Sequence, residues 1–229
     1  MARNGQQRNG QQTVKRARRP EVRLPELSGW PAGGVLEPEG DYDAVEFAAA
    51  DLTGQEGVGA RFMDCALRGC VLDGTGLAKA RVLDSVWEGI RGVGTDLSGA
   101  SLRDVELVDA RLGGVRLSGA VLERVVVRGG KIDYLNLRQA RLRDVVFDGC
   151  VLVEPDLAGA VLERVEFRGC VVRGADVTGA RMVDVDVREA VELEVARGVD
   201  SLAGAVVTPA QLLDLAPALA AQLGLRVLP

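Results

Sequence analysis

From Val45 to Glu189 the apolar positions recur with a period of five. The segment divides into 29 consecutive blocks of five residues with no insertion. The third residue of the block is apolar in 27 of the 29, the exceptions being Gly57 and Gly92. The first residue is small or apolar almost throughout, as in Ala60, Cys65, Cys70, Ala100, Ala120, Ala140 and Cys150. These two positions carry no charge in 58 places, whereas the other three carry 42 charges in 87. Two side chains per block therefore point inward and three face water. A period of five matches neither the 3.6 residues of an α-helix nor the two of a strand. Apolar positions two apart and then three apart fit a short extended segment followed by a corner. Repetition wraps such a chain into a tube whose units bury their inner faces only by stacking, which is a solenoid.

The flanks lack the rhythm. Residues 1–24 hold seven Lys/Arg against one Glu, for a charge of +6, and almost nothing apolar to bury. This composition predicts a disordered basic tail. Lys15, Arg16, Arg18 and Arg19 are its candidate contacts with nucleic acid or an acidic protein surface. No aromatic residue accompanies them to stack on bases, so a merely solubilising tail is the plainer reading. Residues 25–44, with Pro25, Pro31, Gly33, Gly34, Pro38 and Gly40, read as an irregular cap in which Leu24, Leu27, Trp30 and Leu36 plug the open first coil. The solenoid is assigned to 45–207. After Glu189 strict register would bury Glu192 and Arg197, so the register is expected to slip and turn Leu193 or Val195 inward. In 208–229, Thr208 and Pro209 open a helical pattern carrying Leu212, Leu215, Leu219 and Leu223, and Pro217 predicts two short helices or a kink.

The blocks Ala50-Asp51-Leu52-Thr53-Gly54, Thr95-Asp96-Leu97-Ser98-Gly99, Ala175-Asp176-Val177-Thr178-Gly179 and Leu135-Asn136-Leu137-Arg138-Gln139 resemble the motif of the pentapeptide-repeat proteins, in particular the actinobacterial, quinolone-resistance type. The resemblance implies an all-β solenoid, a right-handed quadrilateral β-helix of four pentads per coil, here with a short C-terminal α-helical cap. Residues 20 apart should then stack about 4.8 Å apart. Phe147 falls on Phe167, Cys150 on Cys170, and Leu102, Leu122, Leu142, Leu162 and Met182 form one column.

The chemistry this leaves is binding. The chain has no His, and with it no ordinary acid–base residue or nucleophilic triad. No phosphate-binding loop, cofactor motif or metal-ligand spacing is present, and a regular prism offers walls in place of a cleft. The four cysteines all occupy inward first positions and read as small apolar fillers. There is no signal-peptide pattern and no apolar run long enough to span a bilayer, so the expectation is a soluble cytoplasmic protein with no membrane partner. One corner column at 20-residue spacing reads Asp64, Asp84, Asp104, Arg124, Asp144, Arg164, Asp184. The family resemblance implies that such carboxylates could mimic DNA phosphates and bind DNA gyrase or another type II topoisomerase, and that Leu212, Leu215, Leu219 and Leu223 could build a homodimer. The alternatives are a solvated wall of cross-coil ion pairs and a general scaffold with another protein partner. The pentads carry 19 basic and 23 acidic residues, and Arg61, Arg81, Arg141 and Arg181 form a basic column beside the acidic one, whereas a mimic needs a continuous negative stripe.

Overall fold

Every fifth residue from Ala44 to Asp184 has a positive φ, between 46° and 72°. That left-handed corner is what turns an extended chain into a tube, and it accounts for the many glycines in the fifth position of the block. In the computed structural model, which describes residues 13–226, the corners generate a parallel β-solenoid with four walls. Eight-residue strands such as Arg81–Glu88, Ser101–Val108, Val121–Arg128, Arg141–Asp148 and Val161–Arg168 run along wall one, bend at the corner and continue into wall two. Three-residue strands such as Arg111–Gly113 and Lys131–Asp133 form wall three. Wall four is a line of isolated bridges, Asp96 to Arg116 to Asn136 to Asp156 to Asp176. Two kinds of corner result. Those flanking wall four are closed by hydrogen bonds such as Ala100 N–H to Leu97 O (3.0 Å) and Thr75 N–H to Leu72 O (3.2 Å), the pattern of a type II turn with φ > 0 at its third residue. The corner between walls one and two lies within a continuous strand.

The ladders pair residues 20 apart, as in Leu122 with Leu142 and Phe147 with Phe167. The Phe147 and Phe167 rings stack with centroids 4.9 Å apart at an interplanar angle of 11°. First- and third-position side chains fill the interior. At several first positions a hydroxyl or thiol donates to a carbonyl of the preceding coil. Thr75 Oγ1 bonds Leu52 O (2.8 Å), Thr95 Oγ1 bonds Leu72 O (2.7 Å), Cys70 Sγ bonds Phe47 O and Cys150 Sγ bonds Val127 O (both 3.1 Å). The cysteines are thus more than fillers, because each of these two serves a buried acceptor.

The coil starts one block earlier than the sequence pattern predicts. Asp41–Asp43 already pairs with Arg61–Met63, and Tyr42 takes the third position of that block. The plug is an aromatic cluster. Trp30 stacks on Phe47 (4.5 Å) and meets Tyr42 edge-on (5.4 Å), and Tyr42 packs on Phe62 (5.0 Å). Leu36 is buried beside Gly57, where a Cβ would come 3.1 Å from Leu77 Cδ2 and 3.5 Å from Leu36 Cβ. The missing side chain at Gly57 is the space that the plug fills. Leu24 and Leu27 lie half-buried outside this cluster.

At the far end the register slips by one residue, and Leu193 pairs with Val172. Leu193 and Val195 pack against the core, while Glu192 and Arg197 turn outward and pair with Arg173 (2.8 Å) and Asp176 (2.9 Å). A helix, α1 (Pro209–Gln222), closes the coil. Thr208 and Gln211 form a reciprocal capping box, and Gln211 Nε2 also donates to Val187 O at 2.8 Å. Pro217 neither splits the helix nor ends it. The carbonyl deprived of its partner belongs to Leu213, whose residue is 74% exposed, so water can satisfy it.

Residues 13–24 depart from the expectation of a disordered tail. They have no strand pairing, yet they lie extended along the outside of the coil, antiparallel to its axis. The Lys15 backbone N–H donates to Asp184 Oδ1 (3.3 Å), that of Ala17 to Glu166 Oε1 (2.7 Å) and that of Arg18 to Asp144 Oδ1 (3.0 Å). Ser28–Gly29 then joins the ladder beside Val45 and Glu46. Residues 1–12, the remainder of the predicted tail, lie outside the described residues.

Candidate functional site

The acidic column sits on the corner between walls one and two, where φ is 53° at Asp64, 46° at Asp84, 53° at Asp104, 57° at Asp144 and 53° at Asp184. Asp is among the few non-glycine residues that adopt this conformation at modest cost. Part of the acidic character is therefore a backbone requirement. Arg124 and Arg164 occupy the same corner against that preference. Each compensates by gripping the carboxylate one coil earlier: Arg124 holds Asp104 through Nε (2.6 Å) and Nη2 (2.7 Å), and Arg164 holds Asp144 through Nε (2.7 Å) and Nη2 (2.8 Å). These are paired, two-pronged hydrogen bonds with little solvent around them, and each arginine also reaches the preceding glutamate, Glu123 or Glu163.

The column accordingly divides. Asp64 and Asp84 make no ion pair among the described residues. Burial, with Asp104 and Asp64 close by, pushes the Asp84 carboxyl above its ordinary value. Asp104 is neutralised by Arg124. Asp144 is only 2% exposed. Burial alone would raise its pKa, but the Arg164 guanidinium and the Arg18 N–H outweigh this and hold the carboxyl below its ordinary value. Asp184 is engaged by the Lys15 N–H. The sequence-predicted acidic residues thus share one edge, but they do not present a continuous negative stripe.

Residues 13–24, a strap held along the coil by these backbone N–H groups, explain a second peculiarity. Second-position side chains point outward, and on wall one they meet water, as Val121 does at 40% exposure. On wall two the same position reads Ala66, Val86, Glu106, Val126, Val146, Glu166, and Val126 and Val146 are 2% and 0% exposed. Residues 13–24 cover this outward apolar column. Val14, Ala17 and Pro20 turn toward it, at the three-residue spacing of an extended polyproline-like chain. Lys15, Arg16, Arg18 and Arg19 are exposed on the outer side, and none takes part in an ion pair among the described residues. The strap was not legible from its own composition, but wall two held a signal: Val86, Val126 and Val146 at an outward position.

The cap leaves an apolar surface. Leu215 is buried against the chain's own coil end, Leu219 is half-buried, and Leu212 and Leu223 are 51% and 75% exposed. Elsewhere the chemistry is quiet. Burial raises the Cys65 thiol to about 11. Cys150 is raised by its hydrogen-bonded neighbour Cys170 and by burial. Among the described residues no group of His, Cys, Asp or Glu is placed to hold a metal ion, and no helix is long and apolar enough to cross a membrane.

A family model described as "Pentapeptide repeat region" matches residues 60–137, and one described as "Pentapeptide repeats (8 copies)" matches 133–169 and 146–182. Among solved structures, the chain is similar to HetL, a pentapeptide repeat protein involved in heterocyst differentiation regulation from the cyanobacterium Nostoc sp. strain PCC 7120. The two are 21% identical over 76% of this chain and 92% of that one, with a TM-score of 0.42. Full-length QnrB1, a plasmid-mediated fluoroquinolone resistance protein, is 15% identical over 79% of this chain and 99% of its own, with a TM-score of 0.34. No curated protein matches the chain.

Proposed function

The chain belongs to the pentapeptide-repeat family, and from that premise we propose that it is a non-enzymatic rod that works by binding a protein partner through its walls. The observation that supports this best is the placement of its polar groups. They lie in columns along regular walls, while the space enclosed by the coil is lined by side chains such as Leu137, Leu152, Leu162 and Val185. Such a molecule offers partners extended, evenly spaced surface and gives a small substrate no polar cleft. The four free cysteines suit a reducing compartment such as the cytoplasm.

A finer reading, modulation of DNA gyrase or another type II topoisomerase by DNA mimicry, is favoured by Asp64 and Asp84, the two consecutive corner carboxylates without an arginine partner. The cross-coil pairs at Asp104 and Asp144 and the covered Asp184 count against a longer mimic. The exposed Leu212 and Leu223, with Leu219 beside them, support self-association through α1. The test is a supercoiling assay with purified DNA gyrase, titrated with the full chain and with Asp64→Asn/Asp84→Asn. Inhibition by the parent that is lost in the variant supports the topoisomerase reading. Absence of inhibition removes it and leaves the broader scaffold reading. Sedimentation of the full chain beside Leu212→Asp/Leu223→Asp reads the dimer, which the variant is expected to dissociate.

A further inference from the structure

We propose that wall two is a binding groove for an extended, basic segment of a protein partner, and that residues 13–24 are its resident occupant. This deepens the protein-binding reading by naming the wall and the chemistry of the ligand.

The way the strap is held carries the argument. Its fixed points are backbone N–H groups at Lys15, Ala17 and Arg18, donated to Asp184, Glu166 and Asp144. Its inward side chains are short ones three residues apart, over Val126 and Val146. Nothing in this recognition is peculiar to the strap. Any extended segment with a small apolar residue at every third position would present the same N–H groups and the same apolar row. Basic residues between them are favoured by nearby carboxylates, Arg18 by Asp144 and Arg16 by Asp186, and the exposed Lys15, Arg16, Arg18 and Arg19 show that such long side chains fit without entering the groove.

The strap is also separable from the coil. Its first ladder hydrogen bond is Ser28 N–H to Ala44 O, 2.8 Å. Residues before it can peel away from a hinge near Ser28–Gly29 without breaking a strand pair. An intramolecular occupant of this kind competes at an effective concentration on the order of millimolar. A partner segment must therefore bind more favourably or arrive on a multivalent partner.

The probe is a fluorescein-labelled peptide of residues 13–27, added in trans and read by anisotropy. The proteins are the full chain, Ala17→Glu and Ala17→Glu/Val146→Glu. Ala17→Glu sets a carboxylate against Glu166 and releases the strap, which is read independently as faster tryptic cleavage after Lys15, Arg16, Arg18 or Arg23. If Ala17→Glu stays protected, Ala17→Glu/Pro20→Glu takes its place. Glu at 146 would face water once the strap is off, and the half-buried Glu106 already occupies the same outward column, so the coil is expected to keep its thermal transition. The expected result is peptide binding to the strap-released protein at least about tenfold tighter than to the parent, and at least tenfold weakened again by Val146→Glu. Equal binding to parent and released protein, or binding indifferent to Val146→Glu, would overturn the proposal. So would binding of duplex DNA by the parent that is lost on strap release, with no peptide binding by either, since that places recognition on the outward cations. The peptide reads wall two alone, so its failure leaves the supercoiling result and the broader reading to stand or fall separately.

Discussion

Asp144 is where the corner column, the cross-coil ion pairs and the strap meet, and its removal tests all three. Its side chain is 3% exposed and that of Arg164 is 12% exposed. Breaking a buried pair by removing one partner costs ~3–5 kcal/mol, because a charge is left without compensation. Arg164 retains Glu163, which places Asp144→Asn near the lower bound, about 3 kcal/mol. Asp144→Ala adds the strain of a non-glycine, non-Asx residue at φ 57°, ~1 kcal/mol more. In a chain of this length each kcal/mol moves the melting temperature by roughly 2–4 °C. The Asn variant should thus melt about 6–12 °C lower, and the Ala variant a few degrees lower still. The assay is thermal and urea unfolding of Asp144→Asn, Arg164→Met and the double variant. The double variant should be less destabilised than the sum of the singles, with a coupling of at least ~1.5 kcal/mol. A coupling below ~0.5 kcal/mol would refute the reasoning, since the two-pronged contact would then be mere proximity. The pH dependence has a definite sign. Asp144 is held below its ordinary 3.8, so its contribution is complete above that value and is lost as pH falls through the lower, folded one. The parent should therefore lose stability below about pH 4 that the Asn variant does not have to lose.

Three further outcomes follow from the same geometry. Asp84→Asn should raise the melting temperature at neutral pH; the folded carboxyl is raised, so the parent gains stability as pH falls toward the ordinary 3.8, and that gain should shrink in the variant. Gly130→Ala should be among the most damaging single changes, because φ is +75° and the added Cβ would sit 2.2 Å from Ala110 O; a cost above ~3 kcal/mol in urea unfolding is expected, and an unchanged midpoint would contradict the backbone described there. Trp30→Ala removes the ring stacked on Phe47 and should cost ~2–3 kcal/mol at this half-buried site, with hydrogen-exchange protection lost first at Asp41–Asp43 and Val45–Ala48 while the distal coils stay protected.

The repeat was legible because it is written so many times. Inward positions shun charge throughout, and once the period is 20 every ladder partner is fixed, so Phe147 on Phe167 needs no coordinates. The slip after Glu189 was legible for the complementary reason that burying Glu192 and Arg197 is prohibitive. The strap was not. Its inward residues Val14, Ala17 and Pro20 are short and dispersed among cations, so composition alone reads as unfolded chain. Its order comes from a wall up to 169 residues away. Tyr42 was missed because Pro38 and Gly40 just before it mark the segment as irregular chain, although Gly40 serves as the small first residue of its block. α1 ran through Pro217 because the orphaned carbonyl faces water, which local propensity does not register. Of the candidate acidic residues, the sequence placed all five on one edge, but which of them stay open depends on Arg124, Arg164 and the strap, and that is tertiary information.

The strap also orders events in time. Lys15 and Asp184 are separated by 169 residues, and a ribosome adding roughly 5–20 residues per second needs about ten to thirty seconds to bring the second into existence after the first. Until Asp144 and Glu166 are made, 126 and 149 residues after Arg18 and Ala17, the strap lacks its acceptors, and the growing coil must nucleate and extend without it, its valines bare. Docking is then a late step of biogenesis: a chain fastened down as far as Lys15 is one whose coil has been made at least to Asp184.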